Sequence, residues 1–216
     1  MSYAVNLVLT GQRVLVVGGG AVAARKVTGL LEAGAVVTVV APDAVPELAD
    51  DPDVRWHRRE YRRGEAASYR LVFTATSDPA VNAQVARDGR AANVFVNSAD
   101  DPSNCSFTLP AVVRRGNLQL AVSTNGRSPA FAAWLREQLE AAYTDAHARL
   151  LDLLGEVRSE ARARFGTSEL PGWADVIDDD LLAAVAAGRD DEARARVRTA
   201  LGLAHVAQHV AHEAAP

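Results

Sequence analysis

The fold of this chain is decided by residues 13–26, which read RVLVVGGGAVAARK. The stretch opens with a short apolar run bounded by glycine, which is typical of a buried strand and too short for a helix. Glycines at positions 18 and 20 and the small Ala23 follow immediately, and apolar residues at helical spacing come next. A strand, a glycine turn and a helix in this order form the context in which a dinucleotide-binding fingerprint becomes informative.

Each small residue of this turn has a physical task in a dinucleotide site. Gly18 would allow the tight turn, Gly20 would let the backbone approach a pyrophosphate, and Ala23 would let the helix pack close to the strand. The free N–H groups at the start of the helix would then face the phosphates. The alternative is a glycine-rich turn without a ligand, which the strand and the helix around it disfavour.

The segment after the first helix extends the pattern to a βαβ unit. The helix is expected over residues 21–33 and should end at Gly34, and an apolar, β-branched strand follows at residues 35–40. A ribose-binding acid is expected about 20 residues beyond the glycines, at the end of that strand. Asp43, directly after Pro42, is the candidate, and a solvated turn aspartate is the alternative. No arginine stands at this strand end in the sequence, so we predict NAD rather than NADP as the cofactor.

Length, net charge and cysteine content limit the classes of protein to which this chain can belong. The chain has 216 residues, of which 49% are hydrophobic, and its formal net charge is -4. This length supports a sizeable core, and the acidic balance argues against a nucleic-acid binder held by bulk charge. Cys105 is the only cysteine, which excludes an internal disulfide and favours a reducing, cytoplasmic location. Neither a signal peptide nor an apolar run that could span a membrane is visible, so no membrane partner is expected.

Three more strands are predicted in the first half of the chain, at residues 53–57, 70–76 and 93–97. A helix over residues 79–92, capped by Asp78, should connect the last two of them. We therefore predict an α/β fold with a Rossmann-like parallel sheet. Ligands of such sheets bind beyond the carboxyl ends of the strands, so Thr76 should border the cofactor and Asn97 should lie nearby. The charged residues 58–68 are expected to form a solvated crossover.

The pattern changes in the second half of the chain. Two strand-like runs, at residues 106–113 and 117–123, are separated by a short turn, which predicts a hairpin. Ser128 is a favourable N-cap for a long helix that should run from Ala130 deep into the 150s. Shorter helices are predicted at residues 178–188 and 190–201. The tail carries histidines at helical spacing, at positions 205, 209 and 212, for which a frayed helix is favoured over a metal site.

Several ordered motifs together resemble one family, the precorrin-2 dehydrogenases, which form the NAD-binding module of siroheme synthases. The glycine turn with Arg25 and Lys26 is the first motif, and Asn97-x-x-Asp100-x-Pro102 is another. The remaining motifs lie at residues 31–35, 75–78, 106–111 and 121–132. The resemblance covers about residues 3 to 145 without a large gap, and several motifs in order are far more specific than a glycine turn alone.

The resemblance implies a protein of three parts. These are a Rossmann-like NAD-binding domain at residues 1–104, a dimerisation region of hairpin and long helix at 105–150, and a small all-α domain at 151–216. It implies the oxidation of precorrin-2 to sirohydrochlorin with NAD as the hydride acceptor, in a homodimer. Some members of the family also insert ferrous iron into sirohydrochlorin, which is the first alternative. A regulatory module that binds NAD without catalysis is the second.

The resemblance also assigns site residues. Carried over by position, the dinucleotide contacts fall at Ala21, Val22, Pro42 and Asp43, and the catalytic aspartate falls at Asp100. The oxidation removes a hydride and a proton from the substrate, and the cofactor takes the hydride. Asp100, after the fifth strand, would then act as the general base that takes the proton. The alternative is that Asp100 and Asp101 form a turn before Pro102.

The substrate is expected to meet the end of the fifth strand and the polar loop after the hairpin. The residues assigned to it are Asn97, Ser123, Thr124, Arg127 and Ser128. A tetrapyrrole with many carboxylates requires arginines around it. The candidates are Arg114, Arg115 and Arg127, and a surface charge is the alternative for each of them. Thr124 stands where some relatives have serine, which leaves the role of that hydroxyl open. No metal-ligating residues are predicted.

Overall fold

The computed structural model describes residues 2–99 and 101–203. The chain divides into two compact units, Met1–Leu109 and Pro110–Pro216. The finer division into three domains stays a prediction. Asp100 lies outside the described residues, and so do His205, His209 and His212, so the roles assigned to them also stay predictions.

The first unit is built on one sheet of five parallel strands. In chain order the strands are β1 (Arg13–Val17), β2 (Val36–Ala41), β3 (Val54–Arg58), β4 (Leu71–Thr74) and β5 (Phe95–Ser98). They lie in the order β3-β2-β1-β4-β5, which belongs to the doubly wound order of Rossmann folds. Every pair of neighbouring strands is parallel. The α/β fold with a Rossmann-like parallel sheet is therefore confirmed.

Helices cover both faces of this sheet because the strands are apolar on both sides. The helices are α1 (Ala21–Glu32), α2 (Pro46–Ala49) and α3 (Pro79–Ala91). Val14 of β1 belongs to the same buried cluster as Val27 of α1. Its neighbour Leu15 points to the other face and belongs to a second cluster with Val85 of α3. With both faces covered, the strand ends are the part of the sheet that a ligand can reach.

The crossover between β3 and β4 is more ordered than the solvated segment expected at residues 58–68. It ends in a short 3-10 helix, Glu65–Ser68. Asp88 of α3 holds this turn, because its carboxylate accepts hydrogen bonds from the Gly64 N–H at 2.7 Å and the Tyr61 hydroxyl at 2.9 Å. Although burial opposes the shift, these hydrogen bonds lower the pKa of Asp88. The polar composition of the crossover did not reveal that it folds back onto α3.

The second unit begins with a hairpin and continues as helices. The antiparallel strands of the hairpin are β6 (Ala111–Arg115) and β7 (Leu118–Val122). The helices are α4 (Pro129–Ala142), α5 (Asp145–Phe165), α6 (Trp173–Val176), α7 (Asp179–Ala186) and α8 (Asp190–Ala200). The predicted hairpin and the predicted helical C-terminal region are both present. Among the described residues, no helix combines the length and the apolar character that crossing a membrane requires.

Helices α4 and α5 occupy the place of the single helix expected from Ala130 into the 150s. The chain leaves the helical conformation at Tyr143 and Thr144, which both have extended backbone. The Thr144 N–H donates a hydrogen bond to Nδ1 of His147 at 3.1 Å, as part of a capping box that starts α5. Apolar periodicity continues through this break, so it gave no signal of the new start. His147 acts here as a capping residue.

Candidate functional site

The strand ends of the first unit define one candidate site, which we call the carboxyl edge. It consists of the row of last strand residues, Val17, Ala41, Arg58, Thr74 and Ser98, together with the turns that follow them. Parallel pairing brings these ends together although they are far apart in the sequence. The edge therefore gathers most of the side chains that the sequence predicts to bind a cofactor.

Gly18 forms the tight turn after β1. Its φ of +117° lies in the region that glycine favours, and a Cβ there would lie only 2.5 Å from the Ala75 carbonyl oxygen. The Gly18 N–H donates to the carbonyl oxygen of Val40 at 3.0 Å. A side chain at this position would therefore collide with the turn after β4, which explains why the chain needs glycine here.

Gly19, to which the sequence pattern assigned no task, makes the closest approach of the turn. A Cβ on Gly19 would lie 2.1 Å from the carbonyl oxygen of Asp43. The Val45 N–H also donates to the Gly19 carbonyl oxygen at 2.8 Å. The turn after β1 is thus packed directly against the turn after β2. The fingerprint treats this position as variable, so its spacing could not have indicated the contact.

Gly20 and the start of α1 are open. A Cβ on Gly20 would find no atom within 4 Å, and its φ of -85° is accessible to any residue. No side chain of the described residues caps the first turn of α1, and this turn carries no acidic residue. Ala21 and Val22, predicted to contact the dinucleotide, are exposed at this start. Helical N–H groups that no side chain of the described residues caps, beside an open glycine, fit a phosphate group.

Asp43 lies beyond β2, as predicted, but it has an arginine partner that the sequence analysis missed. Arg58 stands opposite Ala41 in the β2–β3 register. Its Nη2 lies 3.0 Å from Oδ1 of Asp43, and its Nε donates to the Pro42 carbonyl oxygen at 3.2 Å. The prediction that no arginine stands at this strand end is therefore wrong for the folded chain. The arginine comes from the neighbouring strand, which linear distance in the sequence conceals.

Thr76 lies two residues after the end of β4, and its hydroxyl makes hydrogen bonds within the protein. The hydroxyl donates to Oδ1 of Asn82 at 2.8 Å, and the Asn82 amide donates back to the Thr76 carbonyl oxygen at 3.0 Å. The buried Thr74 hydroxyl donates to the same Asn82 oxygen. These bonds fix the start of α3 against the end of β4. Beside them the buried hydroxyl of Ser98, at the end of β5, has no hydrogen-bond partner among the described residues.

Asn97 is placed inside the unit and not at its surface. Asn97 is only 7% exposed, and its side-chain amide donates a hydrogen bond to the Phe107 carbonyl oxygen at 3.0 Å. Its Oδ1 accepts a hydrogen bond of 3.4 Å from Lys26 of α1. The Lys26 ammonium also lies 5.3 Å from the centre of the Phe73 ring. These contacts give Asn97 a bracing role between α1 and the end of β5, and the substrate contact predicted for it stays a prediction.

The residues on either side of Asp100 are tied to the end of the sheet. The Ala99 N–H donates to the Thr74 carbonyl oxygen at 2.9 Å. Asp101 accepts hydrogen bonds from the Ser103 hydroxyl at 2.7 Å and the Ser103 N–H at 2.8 Å, which lower the pKa of its carboxyl. The Ser98 N–H donates to the Cys105 sulfur at 3.1 Å. The carboxylate of Asp101 is thus engaged in a local turn.

The other predicted substrate residues belong to the second unit and shape their own loop. The Thr124 hydroxyl donates to the Ser128 carbonyl oxygen at 3.1 Å and accepts from the Ser128 N–H at 3.2 Å. The Ser128 hydroxyl caps α4 by accepting from the Phe131 N–H at 3.1 Å, and the Ser123 hydroxyl accepts from the Asn125 N–H at 3.2 Å. Arg127 is exposed. Whether these groups also bind a substrate stays a prediction.

The fold and the carboxyl edge together define a dinucleotide-binding domain of the Rossmann type. A family model described as NAD(P)-binding matches residues 5–111, and a second, described as sirohaem biosynthesis protein central, matches residues 115–142. The cofactor class of the first unit is therefore NAD(P), in agreement with the glycine turn.

Comparisons that cover most of this chain extend the result to both units. Siroheme synthase of Pseudoalteromonas atlantica is 35% identical over 194 residues, which are 88% of this chain and 42% of that protein. Siroheme synthase of Pseudomonas putida is 40% identical over 160 residues, which are 73% of this chain and 35% of that protein. The solved structure of SirC, precorrin-2 dehydrogenase, has a TM-score of 0.75 and 29% identity, and covers 92% of this chain and 98% of that one.

Over most of its length this chain is therefore similar to siroheme synthases and to SirC, precorrin-2 dehydrogenase, and its two units match an NAD(P)-binding and a sirohaem biosynthesis family model. It spans about two fifths of the length of the siroheme synthases named above. The family resemblance drawn from the sequence motifs is confirmed.

The packing of the glycine turn yields a paired prediction. Gly19→Ala should lower the free energy of unfolding by about 1–3 kcal/mol, because the new methyl group would overlap the Asp43 carbonyl. Gly20→Ala should leave the free energy of unfolding within about 1 kcal/mol of wild type, but it should weaken NAD binding because the methyl group occupies the space open to a pyrophosphate. Urea denaturation and NAD titration measure the two effects. Equal stabilities of the two variants, or a Gly20→Ala variant that binds NAD like wild type, would contradict this assignment.

Proposed function

We propose that this protein is an NAD-dependent dehydrogenase that oxidises precorrin-2 to sirohydrochlorin. The observation that carries the proposal is the carboxyl edge, where the glycine turn, the uncapped start of α1 and Asp43 lie side by side. The likeness to SirC, precorrin-2 dehydrogenase, over 92% of this chain supports the choice of reaction.

The residues at the edge fit the parts of a dinucleotide. The backbone from Gly20 to Val22 would hold the pyrophosphate, since it is open and offers N–H groups that no side chain of the described residues caps. The Asp43 carboxylate, which is 85% exposed, would accept a hydrogen bond from a ribose hydroxyl. When bound, NAD supplies a hydride acceptor.

Asp100 is proposed as the general base of this oxidation. The residue before it in the sequence, Ala99, donates its N–H to the carbonyl oxygen at the end of β4, which supports this proposal. A carboxylate there can take the proton that leaves the substrate when a double bond forms. Asp101 is a poor alternative, because its oxygens already accept three hydrogen bonds, from two groups of Ser103 and from the Asn104 amide.

The two adjacent aspartates provide a matched test. Asp100→Asn should lower kcat for precorrin-2 oxidation by about 10²–10⁴ and leave NAD affinity unchanged, because the amide cannot take a proton. Asp101→Asn should keep kcat within about threefold of wild type, since the asparagine oxygen still accepts both hydrogen bonds from Ser103 and only the one from the Asn104 amide is lost. The production of NADH, followed by its absorbance, measures both. Full activity of Asp100→Asn would remove Asp100 from the mechanism.

Two alternatives drawn from the sequence give different results in the same experiments. A bifunctional enzyme would also convert sirohydrochlorin and ferrous iron to siroheme without NAD. An NAD-sensing regulator would bind NAD but leave precorrin-2 unchanged. Absorption spectra of the protein incubated with each tetrapyrrole, with and without NAD and ferrous iron, distinguish the three functions.

We also propose that the hairpin and α4 form the interface of a homodimer. Phe131 and Trp134 of α4 are each 51% exposed, and their rings stack at 5.7 Å. Strands β6 and β7 form a sheet of two strands only, so each has an edge without a strand partner among the described residues. Exposed aromatic side chains beside open strand edges are typical of a surface that a second chain covers.

A charge placed in this aromatic pair should separate the dimer. Trp134→Glu should convert the wild-type dimer to a monomer in sedimentation equilibrium, because a carboxylate would have to be buried in the interface. Ala133→Glu is the control, since Ala133 is exposed on α4 but about 100° around the helix from Trp134, and this variant should stay dimeric. A monomeric wild type, or a dimeric Trp134→Glu variant, would overturn the proposed interface.

A further inference from the structure

The ion pair of Asp43 and Arg58 bears on whether the protein binds NAD or NADP. Asp43 follows β2, where Rossmann domains place the acid that binds the ribose 2′-hydroxyl, and an arginine nearby accommodates a 2′-phosphate instead. Here both kinds of side chain are present at the same strand ends. The inference rests on the dinucleotide binding proposed above.

Arg58 is held in position by three contacts. Its Nη2 lies 3.0 Å from Oδ1 of Asp43, and its Nε donates to the Pro42 carbonyl oxygen at 3.2 Å. Its guanidinium also lies 5.8 Å from the centre of the Trp56 ring. Trp56 is itself anchored, because its Nε1 donates to the carbonyl oxygen of Ala41 at 3.1 Å. The guanidinium is therefore aimed at the end of β2 from the strand beside it.

The position of Asp43 is equally constrained, by its backbone. Its carbonyl oxygen is so close to Gly19 that a Cβ there would lie 2.1 Å away. The carboxylate is thus kept beside the glycine turn, where the adenosine half of a dinucleotide lies in Rossmann domains.

Both charged groups remain accessible to a ligand. The Asp43 side chain is 85% exposed and the Arg58 side chain is 71% exposed. An ion pair as exposed as this contributes little to folding stability. A carboxylate offers about four lone-pair sites, so Asp43 can accept from Arg58 and from a ribose hydroxyl at the same time.

We propose that Arg58 is a specificity-determining residue that acts with Asp43 at the 2′ position of the ribose. While Asp43 is charged, Arg58 orients the carboxylate towards the 2′-hydroxyl, and the carboxylate repels a 2′-phosphate. When the charge of Asp43 is removed, the guanidinium of Arg58 becomes the partner of the 2′-phosphate, which it can bind through two N–H groups. The protein thus selects NAD through Asp43 and carries the arginine that would bind NADP.

Binding measurements with NADH and NADPH test this proposal without the tetrapyrrole. Wild type should bind NADH at least about tenfold more tightly than NADPH, because a charged carboxylate faces the 2′ position. Asp43→Asn should bind NADPH about tenfold more tightly than wild type does and NADH more weakly. The double variant Asp43→Asn/Arg58→Gln should lose the gain in NADPH affinity.

Two further variants complete the experiment. Arg58→Gln alone should weaken NADH binding by a few fold, because Asp43 loses the group that orients it. Arg55→Gln is the matched control, since Arg55 is an exposed arginine on the same strand but three residues before the carboxyl edge, and it should bind both nucleotides like wild type. The shorter pair 5′-AMP and 2′,5′-ADP, used as competitors, isolates the effect of the 2′-phosphate.

Each outcome decides between the proposal and its failure. A gain in NADPH affinity that persists in the double variant, or that does not arise in Asp43→Asn, overturns the role of Arg58. A wild type that prefers NADPH overturns the role of Asp43. A wild type that binds neither nucleotide overturns the proposed function as well, whereas NADH binding with the wrong variant pattern overturns this inference alone.

Discussion

The close contact between Gly19 and the backbone of Asp43 is the constraint on which the candidate site depends. It leaves no room for a side chain at position 19, and the Val45 N–H hydrogen bond locks the same pair of turns together. These two contacts therefore hold the turn after β1 against the turn after β2. Their contact fixes the distance between the open start of α1, where we propose that the phosphate binds, and Asp43, where we propose that a ribose hydroxyl binds.

Polar contacts also hold the ends of β4 and β5. Lys26 of α1 donates to Asn97 of β5, and Asn97 in turn holds the carbonyl oxygen of Phe107. Asn82 of α3 joins the hydroxyls of Thr74 and Thr76 at the end of β4. The buried polar groups of the edge are thus used mostly to orient the turns around it, and the exposed ones remain for ligands. This division explains why Asn97 and Thr76, predicted as contact residues, have internal partners.

The sequence predicted what depends on local patterns and missed what depends on pairing between distant segments. The glycine turn and the apolar runs predicted the strands and their parallel arrangement, because buried strands with a helical crossover permit few alternatives. Arg58 was missed because it reaches Asp43 through the β2–β3 register. The role of Gly19 needed the packing of two turns, and the break at Thr144 needed the capping box with His147. Apolar periodicity does not encode either of these features.

The central claim is that the edge built around Gly19 and Asp43 binds the dinucleotide. Amide hydrogen exchange followed by mass spectrometry, with and without saturating NAD, measures this most directly. We expect slower exchange with NAD in peptides that cover residues 18–24 and 42–45, since the N–H groups there lie at the proposed pyrophosphate and ribose positions. Peptides from α7 and α8 should exchange at the same rate in both states. Unchanged exchange at the glycine turn, or protection confined to the helices of the second unit, would contradict the account.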